Sequence, residues 1–188
     1  TLWGFVNESG DVIINPQFKS ARNFSNGYCA VANEENEWGY INNEGTIAIN
    51  YQFEDAQAFD GNNAIVTSND KDGLIDTDGK YIINPQFDGM AIDDGMYLIE
   101  NDGKYGWCDD EGKIIINPQF DNAYPFNGNK LAPVYSGDNY GYVDKEGSIV
   151  INPQFDAAAP FNGKYAIVQS GDKFGMIDSE GKYIVNPQ

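Results

Sequence analysis

Apolar residues in this chain come in short runs of three to five, rich in Ile, Val and Tyr, and Gly, Asn, Asp or Pro bounds each run. That is strand composition cut by turn chemistry, and it predicts β-structure with almost no helix. The first unit shows the plan. Trp3-Gly4-Phe5-Val6-Asn7, the turn Glu8-Ser9-Gly10 and Asp11-Val12-Ile13-Ile14-Asn15 predict a β-hairpin whose last turn residue needs the positive φ of glycine. Asn15-Pro16-Gln17-Phe18 is expected to end the second strand, because proline lacks an N–H and holds its predecessor extended. Ala21 and Phe24, three and six residues beyond Phe18, are expected to plug the seam between neighbouring units. A polar turn containing Gly27 then leads into a third strand, Tyr28 to Ala32.

The plan recurs in phase. The glycine of the opening pair falls at Gly4, Gly39, Gly73, Gly106, Gly141 and Gly175, and the turn glycine at Gly10, Gly45, Gly79, Gly112, Gly147 and Gly181. The closing asparagine keeps the same steps, from Asn15 to Asn186. Three markers in one phase define a tandem repeat. Its period near 34 also suits helical repeats, but the short apolar runs exclude them. Residues 1–188 thus read as a single repeat array with units beginning near Trp3, Trp38, Asp72, Tyr105, Tyr140 and Phe174, the first and last incomplete. The third copy departs, with Asp72 and Leu74 around its glycine and Met90 and Ile92 in the seam segment. The expected fold is all-β, a tandem array of three-stranded antiparallel meanders stacked as a β-solenoid or superhelix, with a closed β-propeller as the alternative. Six hairpins accompany five third strands, which leaves no extra strand to latch a ring.

Composition narrows the partners. With 29 acidic and 11 basic residues the net charge is −18, which repels nucleic acid and anionic membrane surfaces. No apolar run has the length of about 20 residues that a membrane-spanning helix needs. The chain contains no histidine, which removes Ser-His-Asp, Cys-His and His-ligated zinc chemistry. Carboxylate pairs for a glycosidase are not singled out, since the acids recur in turns or scatter through loops. Asp76-Thr77-Asp78-Gly79 and Asp109-Asp110-Glu111-Gly112 look like the start of a calcium loop, yet the further ligands are missing, and the same slot reads Asn7-Glu8-Ser9-Gly10. No enzyme activity, metal or cofactor is expected. Cys108 occupies a slot filled elsewhere by Val6, Ile41, Ile75, Val143 and Ile177, so it is expected to be buried. Cys29, counted from its loop glycine, aligns with Asn63, Tyr97, Lys130 and Tyr165, the company of a half-exposed position. Both are expected to be free thiols.

The candidate binding feature is an aromatic stripe formed by residues flanking the opening glycines: Trp3, Phe5, Trp38, Tyr40, Tyr105, Trp107, Tyr140, Tyr142 and Phe174. Two readings follow. Stacked repeats must bury large side chains between units, which makes the stripe core; alternatively its rings are platforms for sugars. Choline- and glucan-binding repeats share a Gly-aromatic hairpin, but their unit is shorter, about 20 residues.

Trp38-Gly39-Tyr40-Ile41-Asn42-Asn43-Glu44-Gly45 and Tyr140-Gly141-Tyr142-Val143-Asp144-Lys145-Glu146-Gly147, each followed by an Ile/Val run, a Pro-Gln-Phe-type segment and a Gly-led strand, resemble the bacterial WG repeat, also called the KWG repeat. The resemblance spans the chain. It implies an extended β-repeat of bacterial origin, exported or at the cell surface in many members, and it carries no agreed activity or functional residues. The function expected is a non-enzymatic interaction or scaffold module that meets a protein partner, or alternatively a cell-wall or other glycan.

Overall fold

The computed structural model describes residues 1–188 and contains strands and turns but no helix. The strands form one two-stranded and five four-stranded antiparallel sheets. The first sheet pairs β1 (Trp3–Val6) with β2 (Val12–Phe18). The second holds β3 (Ser20–Ala21), β4 (Tyr28–Ala32), β5 (Trp38–Asn42) and β6 (Ile47–Phe53). The third holds β7 (Asp55–Ala56), β8 (Ala64–Ser68), β9 (Lys71–Ile75) and β10 (Tyr81–Phe87). The fourth runs β11 (Gly89–Asp93), β12 (Met96–Asn101), β13 (Lys104–Asp109) and β14 (Ile114–Phe120). The fifth runs β15 (Asn122–Ala123), β16 (Leu131–Ser136), β17 (Asn139–Asp144) and β18 (Ile149–Phe155). The sixth runs β19 (Ala157–Ala158), β20 (Ala166–Ser170), β21 (Lys173–Ile177) and β22 (Tyr183–Val185). The chain forms two compact units, Thr1–Met90 and Ala91–Gln188.

The three long strands of each meander are those read from the sequence, but a sheet joins the Gly-led strand of one repeat to the hairpin of the next. A further strand completes each four-stranded sheet: two residues at the seam alanine in four of them, as when Ala21 pairs with Val31 and Ala56 with Val66, and the five residues of β11 around Met90 in the other.

The Asn-Pro-Gln-Phe segment does not end its strand. β2 runs through Pro16 to Phe18, and the equivalent strands behave alike. Trp38 lies opposite Phe53 and Tyr40 opposite Ile49, so Gly39 alone faces the three residues Asn50, Tyr51 and Gln52. The extra residues make a three-against-one bulge, where a proline's missing N–H leaves no ladder bond unmade. This bulge explains the opening glycine. A Cβ on Gly39 would sit 2.6 Å from the Ile49 carbonyl oxygen and 2.9 Å from the Tyr51 nitrogen. Gly39 is therefore required by close backbone approach. The turn glycine Gly45, by contrast, takes φ +79° and packs beside the Ile14 side chain of the preceding sheet.

Both faces of the inner strands are buried. In the first unit Ile14 and Phe18 of β2 meet Cys29, Val31 and Ile41 on one face of the second sheet. From its other face Ala30, Tyr40, Ile49 and Phe53 meet Ala64, Val66 and Ile75 of the third, with Ala56 and Phe59 in the seam. The second unit repeats this, Trp107, Ile116 and Phe120 packing with Ala132, Val134 and Val143, and Tyr142, Ile151 and Phe155 with Ala166, Val168 and Ile177. Burial of each large side chain contributes about 1.5–3 kcal/mol.

In the third copy Met90 is buried but Ile92 is exposed, and Asp93 turns inward instead. Cys29 is also not half-exposed: it is fully buried. Pairing sets it opposite Ile41, in register with Ala64, Tyr97, Ala132 and Ala166, which face Ile75, Cys108, Val143 and Ile177. The loops after Gly27, Gly61, Gly128 and Gly163 differ in length, so counting from those glycines drifts out of register.

The bulge makes a direct prediction. Gly39→Ala forces backbone against Cβ and lowers stability by roughly 3 kcal/mol, the upper range for overpacking. Gly61→Ala, at φ +58° with nothing within 4 Å of its Cβ, costs roughly 1 kcal/mol. Urea midpoints of the two variants check the difference; equal midpoints would contradict it.

Candidate functional site

The nine stripe residues do not share one exposed surface. Tyr40, Trp107 and Tyr142, which follow the opening glycine, are wholly buried. Their polar atoms are occupied as well: Tyr40 donates to the Gln57 carbonyl at 2.7 Å, Tyr142 to the Ala159 carbonyl at 2.8 Å, and Trp107 Nε1–H to Asp93 Oδ2 at 2.8 Å. Burial raises both phenol pKa values above the ordinary tyrosine range. Trp38, Tyr105 and Tyr140, which precede the glycine, are half-buried. The Arg22 guanidinium lies 5.1 Å from the Trp38 ring centroid, and Tyr140 packs 4.8 Å from Tyr135. Phe5 meets Phe24 edge-on at 5.0 Å. Only Trp3 and Phe174, each 57% exposed, stand open to solvent. The packing reading of the stripe thus describes its inner members.

The recurring acids are engaged too. In every hairpin turn the leading Asx Oδ1 accepts two backbone N–H groups; Asp76 takes those of Asp78 and Lys80 at 3.0 and 2.9 Å, and Asp109 those of Glu111 and Lys113 at 3.1 and 2.8 Å. The residue after the motif phenylalanine clamps the next hairpin: Glu54 accepts the Asn69 and Asp70 N–H groups, and Asp121 and Asp156 accept those of Gly137 and Gly171. This is turn chemistry carried by carboxylates.

Phe174 lines a cavity of about 330 Å³ with Tyr124 and Ile167; the larger opening lies elsewhere. In the second unit a groove opens where the β15–β16 and β19–β20 loops meet the β17–β18 and β21–β22 turns. It has two overlapping compartments of about 510 and 680 Å³, sharing Gly128 to Leu131 and Ser179. Lys130, Lys145 and Lys164 line it, with Tyr165 at one side and Leu131, Phe161 and Ile184 as apolar wall. Lys80, Lys113 and Lys182 recur after turn glycines, and Lys71, Lys104 and Lys173 recur before opening pairs. Lys145 occupies a slot where no other copy has a cation, and Lys130 and Lys164 share one slot, two residues before Ala132 and Ala166, that holds Gly27, Asn62 and Gly95 in the other copies. That is the signal in the sequence that attention to recurring residues missed.

The groove is held from β11. Asp93, 1% exposed, accepts Trp107 Nε1–H, Phe126 N–H at 2.8 Å and Asn127 N–H at 3.0 Å, which fixes the start of the groove loop. Asp94 pairs with Lys145 at 3.3 Å, and the same ammonium lies 5.8 Å from the Phe126 ring. Lys130 and Lys164 are exposed and enter none of the four ion pairs. Lining acids Asp144, Glu146 and Asp178 match the three lysines one to one, against 29 to 11 for the whole chain. The groove is locally neutral on a strongly negative molecule.

No curated protein sequence matches the chain. Among solved structures it is similar to BamB from Moraxella catarrhalis (13% identity, 93% of this chain and 63% of that one, TM-score 0.50). It is also similar to Hsv2 from Kluyveromyces lactis (13% identity, 90% and 63%, TM-score 0.53) and to a eukaryotic initiation factor (12% identity, 94% and 58%, TM-score 0.52). The chain spans about three fifths of their lengths. Such likeness shows the fold alone, and these neighbours are β-propeller-like, the alternative raised from the sequence. The family profile described as WG containing repeat matches residues 3–36, 38–71, 73–105, 105–140 and 140–174. The chain belongs to that family.

Two outcomes follow from the buried groups. Burial pushes the Cys29 thiol up to about 11 and Cys108 to about 12, from an ordinary 9.0. Ellman's reagent at pH 8 therefore labels neither thiol in the native protein and both in urea. The folded pKa values lie above the unfolded ones, so the stability they carry is intact below pH 9 and falls as pH rises through 11 to 12. For the groove scaffold, Asp93→Ala strands three N–H donors and costs about 3 kcal/mol or more, read as a lower urea midpoint with altered Trp107 emission. An unchanged midpoint would show that the carboxylate is not a support.

Proposed function

We propose that this WG-repeat chain is a non-catalytic recognition module that holds a protein partner in the groove of its second unit. One observation carries the reading: Lys145, singular to its copy, and Lys130 and Lys164, cations in a slot that the first three copies fill with Gly27, Asn62 and Gly95, converge on one groove. The recurring aromatics and acids are meanwhile taken up by packing and turns. In a repeat protein, positions that must recur serve stacking, and departures from the repeat are free to serve a partner.

The module works by non-covalent capture. The sequence offers no histidine, and the carboxylates that accept backbone N–H groups are poorly disposed as general acids or bases. We place it in an exported or surface-exposed bacterial protein, on the strength of the family resemblance. Its excess negative charge disfavours nucleic acid and anionic lipid as partners. A glycan is the second reading. The exposed Tyr165 ring beside Asn129 and Ser179 favours it, since a ring face and neutral polar groups are what sugars use.

Selection of a random displayed peptide library on the immobilised protein, in parallel with a glycan array, tests the reading. The expected result is enriched peptides whose binding falls at least tenfold on Lys130→Glu plus Lys164→Glu, a double variant whose thermal midpoint stays at the parent value. Enriched ligands indifferent to those changes, or no enrichment at all, would overturn it. Glycans sensitive to the double variant would transfer the site to the second reading.

A further inference from the structure

We infer that the groove's ligand is a short peptide segment in which one or two carboxylates flank a large aliphatic or aromatic side chain. The inference rests on the recognition reading above and names the chemistry of its partner. The apolar wall comes first: its open part is Ile184, 50% exposed, while Leu131 and Phe161 line the same groove at 7% exposed. A side chain the size of Leu or Phe would cover this wall and gain burial that a sugar, clothed in hydroxyls, would not.

The cations come second. Lys130 and Lys164 enter none of the ion pairs, while Lys145 is already held by Asp94. Two ammonium groups outside any ion pair, lining the same groove as Leu131, Phe161 and Ile184, call for a ligand that carries one or two carboxylates beside an apolar side chain. A polyanion is a poorer fit, because the chain's charge of −18 opposes it as a whole. One or two carboxylates find Lys130 and Lys164 unpaired beside the lining acids Asp144, Glu146 and Asp178, whereas a longer run of anions meets more of those acids than of lysines.

The neutral polar groups come third. Asn129 donates its side-chain N–H to the Phe126 carbonyl at 2.9 Å, which leaves its Oδ1 to accept. Ser179 contributes an exposed hydroxyl. One acceptor and one hydroxyl match the N–H and C=O of an extended peptide bond, whereas a sugar ring asks for several partners at once. The compartments of about 510 and 680 Å³ fall in the range of roughly 300–1,000 Å³ typical of ligand sites.

The test is an array of capped pentapeptides in which glutamates at both ends bracket every triplet of Leu, Ile, Phe, Gly and Ser, with matched glutamine-ended peptides and trigalacturonate as a sugar arm. The best binders are then titrated into ¹⁵N-labelled protein. Glutamate-ended peptides with an apolar centre should bind at least tenfold more tightly than their glutamine counterparts. They should shift the amides of Gly128 to Leu131 and of Lys164 and Tyr165, and lose that advantage on Lys130→Glu plus Lys164→Glu. If glutamine-ended peptides bind equally well, or only trigalacturonate binds, while the same amides shift, this ligand class is wrong and the groove remains the recognition site. If no member of any arm shifts these amides, both the class and the site are wrong.

Discussion

The structure depends on a carbonyl lying against a glycine. At each opening pair the bulged Asn-Pro-Gln backbone, or Asn-Tyr-Gln in the second copy, crosses so close to the facing glycine that no Cβ fits, as at Gly39 under Ile49 and Tyr51. The crossing adds residues to one strand without ending it. The motif phenylalanine thereby lands opposite the residue before the glycine, Phe53 opposite Trp38 and Phe120 opposite Tyr105. From that point the phenylalanine enters the core, and the residue after the glycine is directed into the next sheet. Sheet stacking, seam filling and the fate of the aromatic stripe all follow from it.

Much of this plan is legible in the sequence. Period, hairpin turns, strand composition and the lack of helix are carried by residues whose local chemistry admits one conformation, such as Gly45 at φ +79° behind Asn42. The rest depends on pairing. A two-residue strand such as Ser20–Ala21 is too short to carry a hydrophobic pattern. Proline looks like a terminator until a bulge removes the need for its N–H. Cys29 looks half-exposed when counted from Gly27, and is buried once Ile41 fixes its register. The direction of the stripe is likewise undetermined by spacing, since Trp38 and Tyr40 share a face but only Tyr40 is fully covered.

The groove illustrates a different limit. Its lysines are distant in sequence and unremarkable singly; only the meeting of two loops and two turns makes them a set. Asp93, which takes the seam place filled by phenylalanine in other copies, anchors Phe126 and Asn127 at the edge of that set. The least regular copy therefore supports the site in the more regular ones. Repetition builds the frame, and its exceptions give the frame something to recognise.

The central claim is that Tyr40, Trp107 and Tyr142, the aromatic residues that follow the inner opening glycines, belong to inter-sheet packing and not to an exposed platform. Acrylamide quenching of a variant that keeps Trp107 as its sole tryptophan, with Trp3 and Trp38 replaced by Phe, tests it most directly. The account predicts blue-shifted emission that acrylamide barely quenches until the protein unfolds. Red-shifted emission quenched as readily as a free indole would contradict it and return the stripe to the surface.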